Sequence, residues 1–101
     1  MADGFSRPTF KYSHQAGAVA SAQIKTGSGF LRTVSINSAG ATPGVITLAD
    51  NTVPNTTTPI AIITPAASST SNSYEYDIGF NNGLTYTNVG GTTADVTISY
   101  Q

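Results

Sequence analysis

The 101-residue chain has no cysteine, no tryptophan, one methionine, one histidine, and charged side chains at only 9% of its positions. Without cysteine there is neither a disulfide framework nor a thiolate metal centre, and one histidine is too few for a zinc site. Four basic and five acidic residues leave a net charge of −1. That is a poor electrostatic footprint for neutralising a phosphate backbone, so nucleic acid is not an expected partner. The most apolar stretch, residues 59–67, is interrupted by Thr64 and Pro65 and falls far short of the ~20 residues a membrane helix needs, so no membrane partner is expected. The start, Met1-Ala2-Asp3-Gly4-Phe5-Ser6-Arg7-Pro8, lacks the apolar centre of a signal peptide, and synthesis without export is expected. No glycine-rich loop opens a helical pattern, and no cofactor is expected.

What the chain has in abundance is 11 serines, 16 threonines and 7 asparagines, with 10 glycines and 5 prolines. Its surface is therefore built from hydroxyls and amides, a composition that suits strands and turns better than helices. Charge is segregated. Arg7, Lys11, Lys25 and Arg32 all lie in the first 32 positions, whereas Asp50, Glu75, Asp77 and Asp95 lie beyond them. Residues 1–15 add Phe5, Phe10, Tyr12 and His14 but show no helical apolar spacing, and they read as an extended arm.

From residue 16 to 101 the pattern has a period of two, punctuated by turn residues. Strands are expected at 17–24, 30–37, 45–50, 60–64, 74–80, 84–89 and 94–101. In the second, Phe30, Arg32, Val34 and Ile36 share one face by strict alternation. Val45 to Asp50 is almost continuously apolar and reads as a buried strand. Tyr74, Tyr76, Ile78 and Phe80 alternate with Glu75 and Asp77, and Asn81-Asn82-Gly83 reads as a hairpin turn with φ > 0. The expected fold is all-β: one β-sandwich or jelly-roll-like barrel of about six or seven strands over residues 16–101, preceded by the arm over 1–15.

Candidate chemistry is sparse. His14 sits in the arm, where no catalytic triad would be held in register. Asp50, Asn51 and Asp95 are the residues a cation would use, but no alternating Asp/Asn run accompanies them, so no metal site is expected. Glu75 and Asp77, two apart on a strand, share a face; a solvated face that discourages stray edge pairing is the expected reading. Asn55-Thr56-Thr57 matches a glycosylation acceptor and reads as loop chemistry. Tyr74, Tyr76 and Tyr86 would be the stacking platforms of a carbohydrate-binding sandwich, against core packing as the plainer reading. Catalysis is not expected.

Three segments carry a resemblance: Val45-Ile46-Thr47-Leu48-Ala49-Asp50-Asn51; Tyr74-Glu75-Tyr76-Asp77 with Phe80-Asn81-Asn82-Gly83-Leu84-Thr85-Tyr86; and Gly90-Gly91-Thr92-Thr93-Ala94-Asp95-Val96-Thr97-Ile98-Ser99-Tyr100. Over about residues 29–101 the chain resembles small virion proteins of tailed bacteriophages. The resemblance implies a head decoration, or cement, protein, made in the host cytoplasm and resident on the capsid exterior. Its implied partner is the major capsid protein, whose neighbouring subunits it would clamp. The first 28 residues lie outside the resemblance. From their aromatics and cations the arm is expected to grip the shell, with Phe5, Arg7, Phe10, Lys11 and Tyr12 as the contacts. Small size and placement on a symmetric shell lead us to expect a homo-oligomer, dimer or trimer. The alternative is a tail or baseplate component presenting a receptor- or glycan-binding β surface.

Overall fold

The computed structural model describes residues 10–15, 21–69, 71–91 and 94–101. They form eight strands: β1 (Lys11–Gln15), β2 (Ser21–Thr26), β3 (Gly29–Ser38), β4 (Val45–Asp50), β5 (Pro59–Ile63), β6 (Asn72–Phe80), β7 (Gly83–Val89) and β8 (Asp95–Tyr100). Two four-stranded antiparallel sheets result, sheet A in the order β1-β8-β3-β6 and sheet B in the order β2-β7-β4-β5. The pairs β1·β8, β2·β7, β3·β6 and β4·β5 are those of one long ribbon folded back at the β4–β5 loop. Rolling that ribbon up brings β3 against β8 and β4 against β7, which is the jelly-roll arrangement. The all-β sandwich expected from the sequence is therefore present, with β1 as the strand not foreseen.

Rolling the ribbon changes the meaning of the turns. Among the described strands only β4 and β5 are consecutive neighbours in one sheet; the other short connections step between sheets. Asn81-Asn82-Gly83 is accordingly not a hairpin turn. It carries the chain from β6 in sheet A to β7 in sheet B, and none of its three residues has positive φ. The turn is held instead by a carboxylate from sheet B. Asp50 accepts hydrogen bonds from the backbone nitrogens of Asn81 (3.0 Å), Asn82 (2.7 Å) and Gly83 (3.4 Å). Asn81 and Asn82 lie between the strands, outside either ladder, so the carboxylate gives their backbone donors a partner.

The core lies between the sheets and is built from Leu31, Val34 and Ile36 of β3, Ile46 and Leu48 of β4, Phe80 of β6, Leu84 and Tyr86 of β7, and Val96 and Ile98 of β8. Ile46 to Ala49 are all buried, in keeping with the apolar run of β4. The alternation expected for β3 fails at one point. Leu31, not Arg32, joins Val34 and Ile36 in the core, because the ladders of β3 with β8 and with β6 both shift between Leu31 and Thr33. A bulge there turns Arg32 outward and keeps two apolar residues of opposite parity inside.

Candidate functional site

Lys11–Gln15, the end of the segment read as an arm, is hydrogen-bonded to β8 and forms one edge of sheet A. The sandwich thus begins at or before Lys11 rather than at residue 16, because β8 would otherwise lack a partner on that side. Phe5 and Arg7 lie outside the described residues. Directly opposed residues of an antiparallel pair share a face, so Lys11, opposite Tyr100, and Gln15, opposite Val96, turn toward the inner side. Tyr12, opposite Ser99, and His14, opposite Thr97, turn outward. Two of the expected shell contacts therefore diverge: Tyr12 stands 75% exposed on the outer face, while Lys11 borders the gap between the sheets. Phe10 is half-buried under Arg32, whose guanidinium carbon lies 4.8 Å from the ring centroid. The bulge that expels Arg32 from the core supplies this cation–π contact.

Beside Tyr12 the outer face of sheet A carries a hydrogen-bonded row spanning three strands. His14 Nε2 lies 2.5 Å from Asp95 Oδ1 on β8, and Asn37 Nδ2 on β3 donates to that same oxygen and to Thr97 Oγ1, each at 2.9 Å. Ser35 and Ser73 hydroxyls meet at 3.0 Å farther along the face. The Asn37 amide, followed by the His14 contact, holds the Asp95 carboxyl below the ordinary carboxylate range. His14 and Asp95 remain 49% and 35% exposed, and among the described residues no hydroxyl is bonded to the imidazole, so the pair has no nucleophile to activate. Its evident work is to fasten the edge strand to its neighbour. Sequence spacing gives no hint of this pair, whose members are 81 positions apart; only the pairing of the first strand with the last brings them together.

The remaining candidates are dispersed. Asp50 is occupied by the β6–β7 turn, and the backbone N–H of Asn81 leads the contacts that lower its carboxyl. Asn51 Nδ2 donates to Asn55 Oδ1 and Thr57 Oγ1, both at 2.9 Å, inside the loop between β4 and β5. Asp95 belongs to the other sheet. Among the described residues no group of three His, Cys, Asp or Glu side chains is placed to hold a metal ion. Asn55 Oδ1 also accepts from the Thr57 backbone nitrogen at 2.9 Å, a side-chain turn that accounts for Asn-Thr-Thr as loop chemistry.

Glu75 and Asp77 are both exposed, but Asp77 has φ 51° within a register shift of β6 against β3, so they are not a regular same-face pair. Such a kink also blunts an edge strand. Tyr74 and Tyr76 pack half-buried against the core and Tyr86 is 1% exposed. Burial pushes the phenols of Tyr76 and Tyr86 up. Three tyrosines so placed do not make a stacking platform; Tyr12, which carried no such expectation, is the exposed one. Among the described residues no helix is long and apolar enough to cross a membrane. No protein-family model, curated protein or solved structure matches the chain.

Proposed function

We propose that the chain is a non-enzymatic viral structural protein: a capsid decoration, or cement, protein that binds outside the head of a tailed bacteriophage and clamps neighbouring major capsid subunits. It does so as a homo-oligomer, dimer or trimer. The observation that carries this reading is Tyr12, 75% exposed on an edge strand beside a hydroxyl- and amide-lined sheet face. An aromatic held out on a paired strand brings a large contact area with its backbone already ordered and only two side-chain torsions to fix, as do residues that dominate protein interfaces. The surrounding Ser, Thr and Asn side chains can hydrogen-bond a partner without the desolvation cost of buried charge. The resemblance over residues 29–101 supplies the viral context, and the jelly roll is compatible with it without selecting it.

Cosedimentation of the purified protein with undecorated heads of its phage tests the proposal. Binding is expected to saturate at a high, symmetry-related copy number and to weaken about tenfold or more for Tyr12→Ala, as for loss of an interface anchor. Absence from heads, with a few copies on tails, refutes decoration in favour of the tail or baseplate alternative.

A further inference from the structure

Among the described strands β1 of sheet A and β2 of sheet B are the two edges on one side of the sandwich, and between them lies a cleft of about 480 Å3 whose lining includes Lys11, Ile24, Lys25, Tyr100 and Gln101. That volume is within the range of sites that enclose a ligand. Its chemistry is one-sided. Lys11 reaches it from one sheet and Lys25 from the other, and no acidic side chain among the described residues borders it.

Lys25 is there because β2 is irregular. Gln23 is opposite Thr85, yet Lys25 is opposite Leu84, a core residue, since the ladder shifts between Gln23 and Lys25. Uninterrupted alternation would leave Lys25 on the outer face with Gln23. The bulge turns it inward to the seam, the way bulges re-aim side chains beside functional sites. Gly29 completes the accommodation, for a Cβ there would sit 2.9 Å from the Lys25 Nζ.

Among the described residues neither ammonium group is paired with an acidic side chain. Asp50 is held by the β6–β7 turn, Asp95 by His14 and Asn37, and Glu75 and Asp77 lie on β6, the opposite edge of sheet A. His14–Asp95 is the one contact between a basic and an acidic side chain among the described residues. The same seam exposes backbone. β1 keeps an unbroken register with β8 over all five residues and, among the described strands, has no neighbour on its other side. It can therefore accept a further strand, whose alternate side chains would enter the cleft.

We propose that this seam binds an extended acidic segment of another polypeptide, which adds to the free edge of β1 and sets its carboxylates against Lys11 and Lys25 beside the apolar wall of Ile24 and Tyr100. The proposal concerns the chemistry of the bound segment and stands whether or not the partner is a viral shell.

The test is a titration of the isotope-labelled full chain, followed through its backbone amides, with a synthetic ten-residue peptide alternating Glu with Thr and Val. A twin peptide with Lys for Glu controls for charge, and succinate supplies a free dicarboxylate. The acidic peptide is expected to shift the amides of Lys11–Gln15 and of Lys25, and to bind more weakly as salt is raised. Lys11→Gln with Lys25→Gln is expected to bind about three- to tenfold more weakly, the range for two partly exposed ion pairs. Lys25→Gln alone leaves β1 untouched and keeps the test decisive if the double variant loosens that strand. Equal binding of the Lys peptide, unchanged binding by Lys25→Gln, or no response at millimolar acidic peptide overturns the site. Succinate reproducing all of the shifts overturns the strand addition.

Discussion

Replacing Asp50 with alanine takes one acceptor away from three backbone donors, those of Asn81, Asn82 and Gly83, at a turn that contains no left-handed residue to shape it. Two of these bonds, at 3.0 and 2.7 Å, are short and the third, at 3.4 Å, is long. A hydrogen bond to a charged acceptor contributes up to roughly 1.5–3 kcal/mol, but water can replace the carboxylate at this exposed turn. The nearer comparison is loss of a helix N-cap, a side chain that likewise satisfies free amides, at about 0.5–2 kcal/mol. We expect Asp50→Ala to cost about 1.5 kcal/mol, or roughly 6–12 °C in Tm for a domain of this size. The same amides hold the Asp50 carboxyl below its ordinary value, with Asn81 contributing most. A folded-state pKa below the unfolded one confers stability that is fully present above about pH 4 and is lost as pH falls through the folded value. Denaturant unfolding of the wild type and of Asp50→Ala should therefore differ most at neutral pH, with the gap narrowing as pH falls through the lowered folded-state value. Asp50→Asn, which keeps an acceptor but no charge, should fall between them and show no such narrowing. Equal stability of wild type and Asp50→Ala at pH 7, or a gap indifferent to pH, would refute the assignment of Asp50 as the clasp of this turn.

Three further outcomes follow from the same geometry. His14→Ala should speed amide exchange across Lys11–Gln15 by about two- to fivefold, the worth of one exposed ion pair, and should raise the Asp95 carboxyl, read by carboxyl-carbon NMR; unchanged exchange would mean β1 is held by its backbone ladder alone. Tyr12→Ala should leave the unfolding midpoint within about 0.5 kcal/mol of wild type, as for an exposed surface position, so that loss of shell binding reports on contact and not on folding. Gly44→Ala should destabilise by more than about 2 kcal/mol in denaturant unfolding, because φ is +74° there and the added Cβ would collide with Asn88 Oδ1 and lie 2.8 Å from the Gly91 backbone nitrogen.

Much of the fold was legible because alternation and turn residues report local geometry. The apolar run of β4 faces the core as its pattern requires, and so do Tyr74, Tyr76 and Phe80 of β6, whereas Ile78, expected on the same face, is 41% exposed beyond the kink at Asp77. What alternation cannot register is a bulge. At Arg32 and at Lys25 one inserted residue shifts the parity of the strand; the first overturns the face expected for Arg32, which lies over Phe10, and the second turns Lys25, beyond the expected end of its strand, into the seam. Nor do turn residues state which strands they join. Asn-Asn-Gly is a good hairpin signal, yet the feature that made it a crossing between sheets is Asp50, some thirty residues upstream. The reading of Lys11–Gln15 as part of an arm is corrected for a related reason. Lys11–Gln15 has too little apolar content to announce a strand, and its stability comes from β8, at the opposite end of the chain.

The rolled ribbon also explains where binding chemistry can accumulate in so small a domain. Pairing first strand with last leaves β1 and β2 as the edges of one seam and β5 and β6 as the edges of the other. The β5–β6 side is defended: Pro59 begins β5, Pro65 follows it, and β6 carries Glu75 with a left-handed kink at Asp77. These are devices that keep an edge from recruiting strands. The β1–β2 side has its own irregularity in β2, but β1 keeps a regular ladder edge, with Tyr12 to its outside and Lys11 to its inside. An interaction surface is thus expected along β1, and the two faces of that strand separate its roles. Tyr12→Ala should impair docking on the outer face while sparing the acidic peptide, and Lys25→Gln should weaken the peptide while leaving Tyr12 exposed. Parallel loss of both activities in either variant would mean that β1 itself had detached, and the attribution to separate faces would then fail.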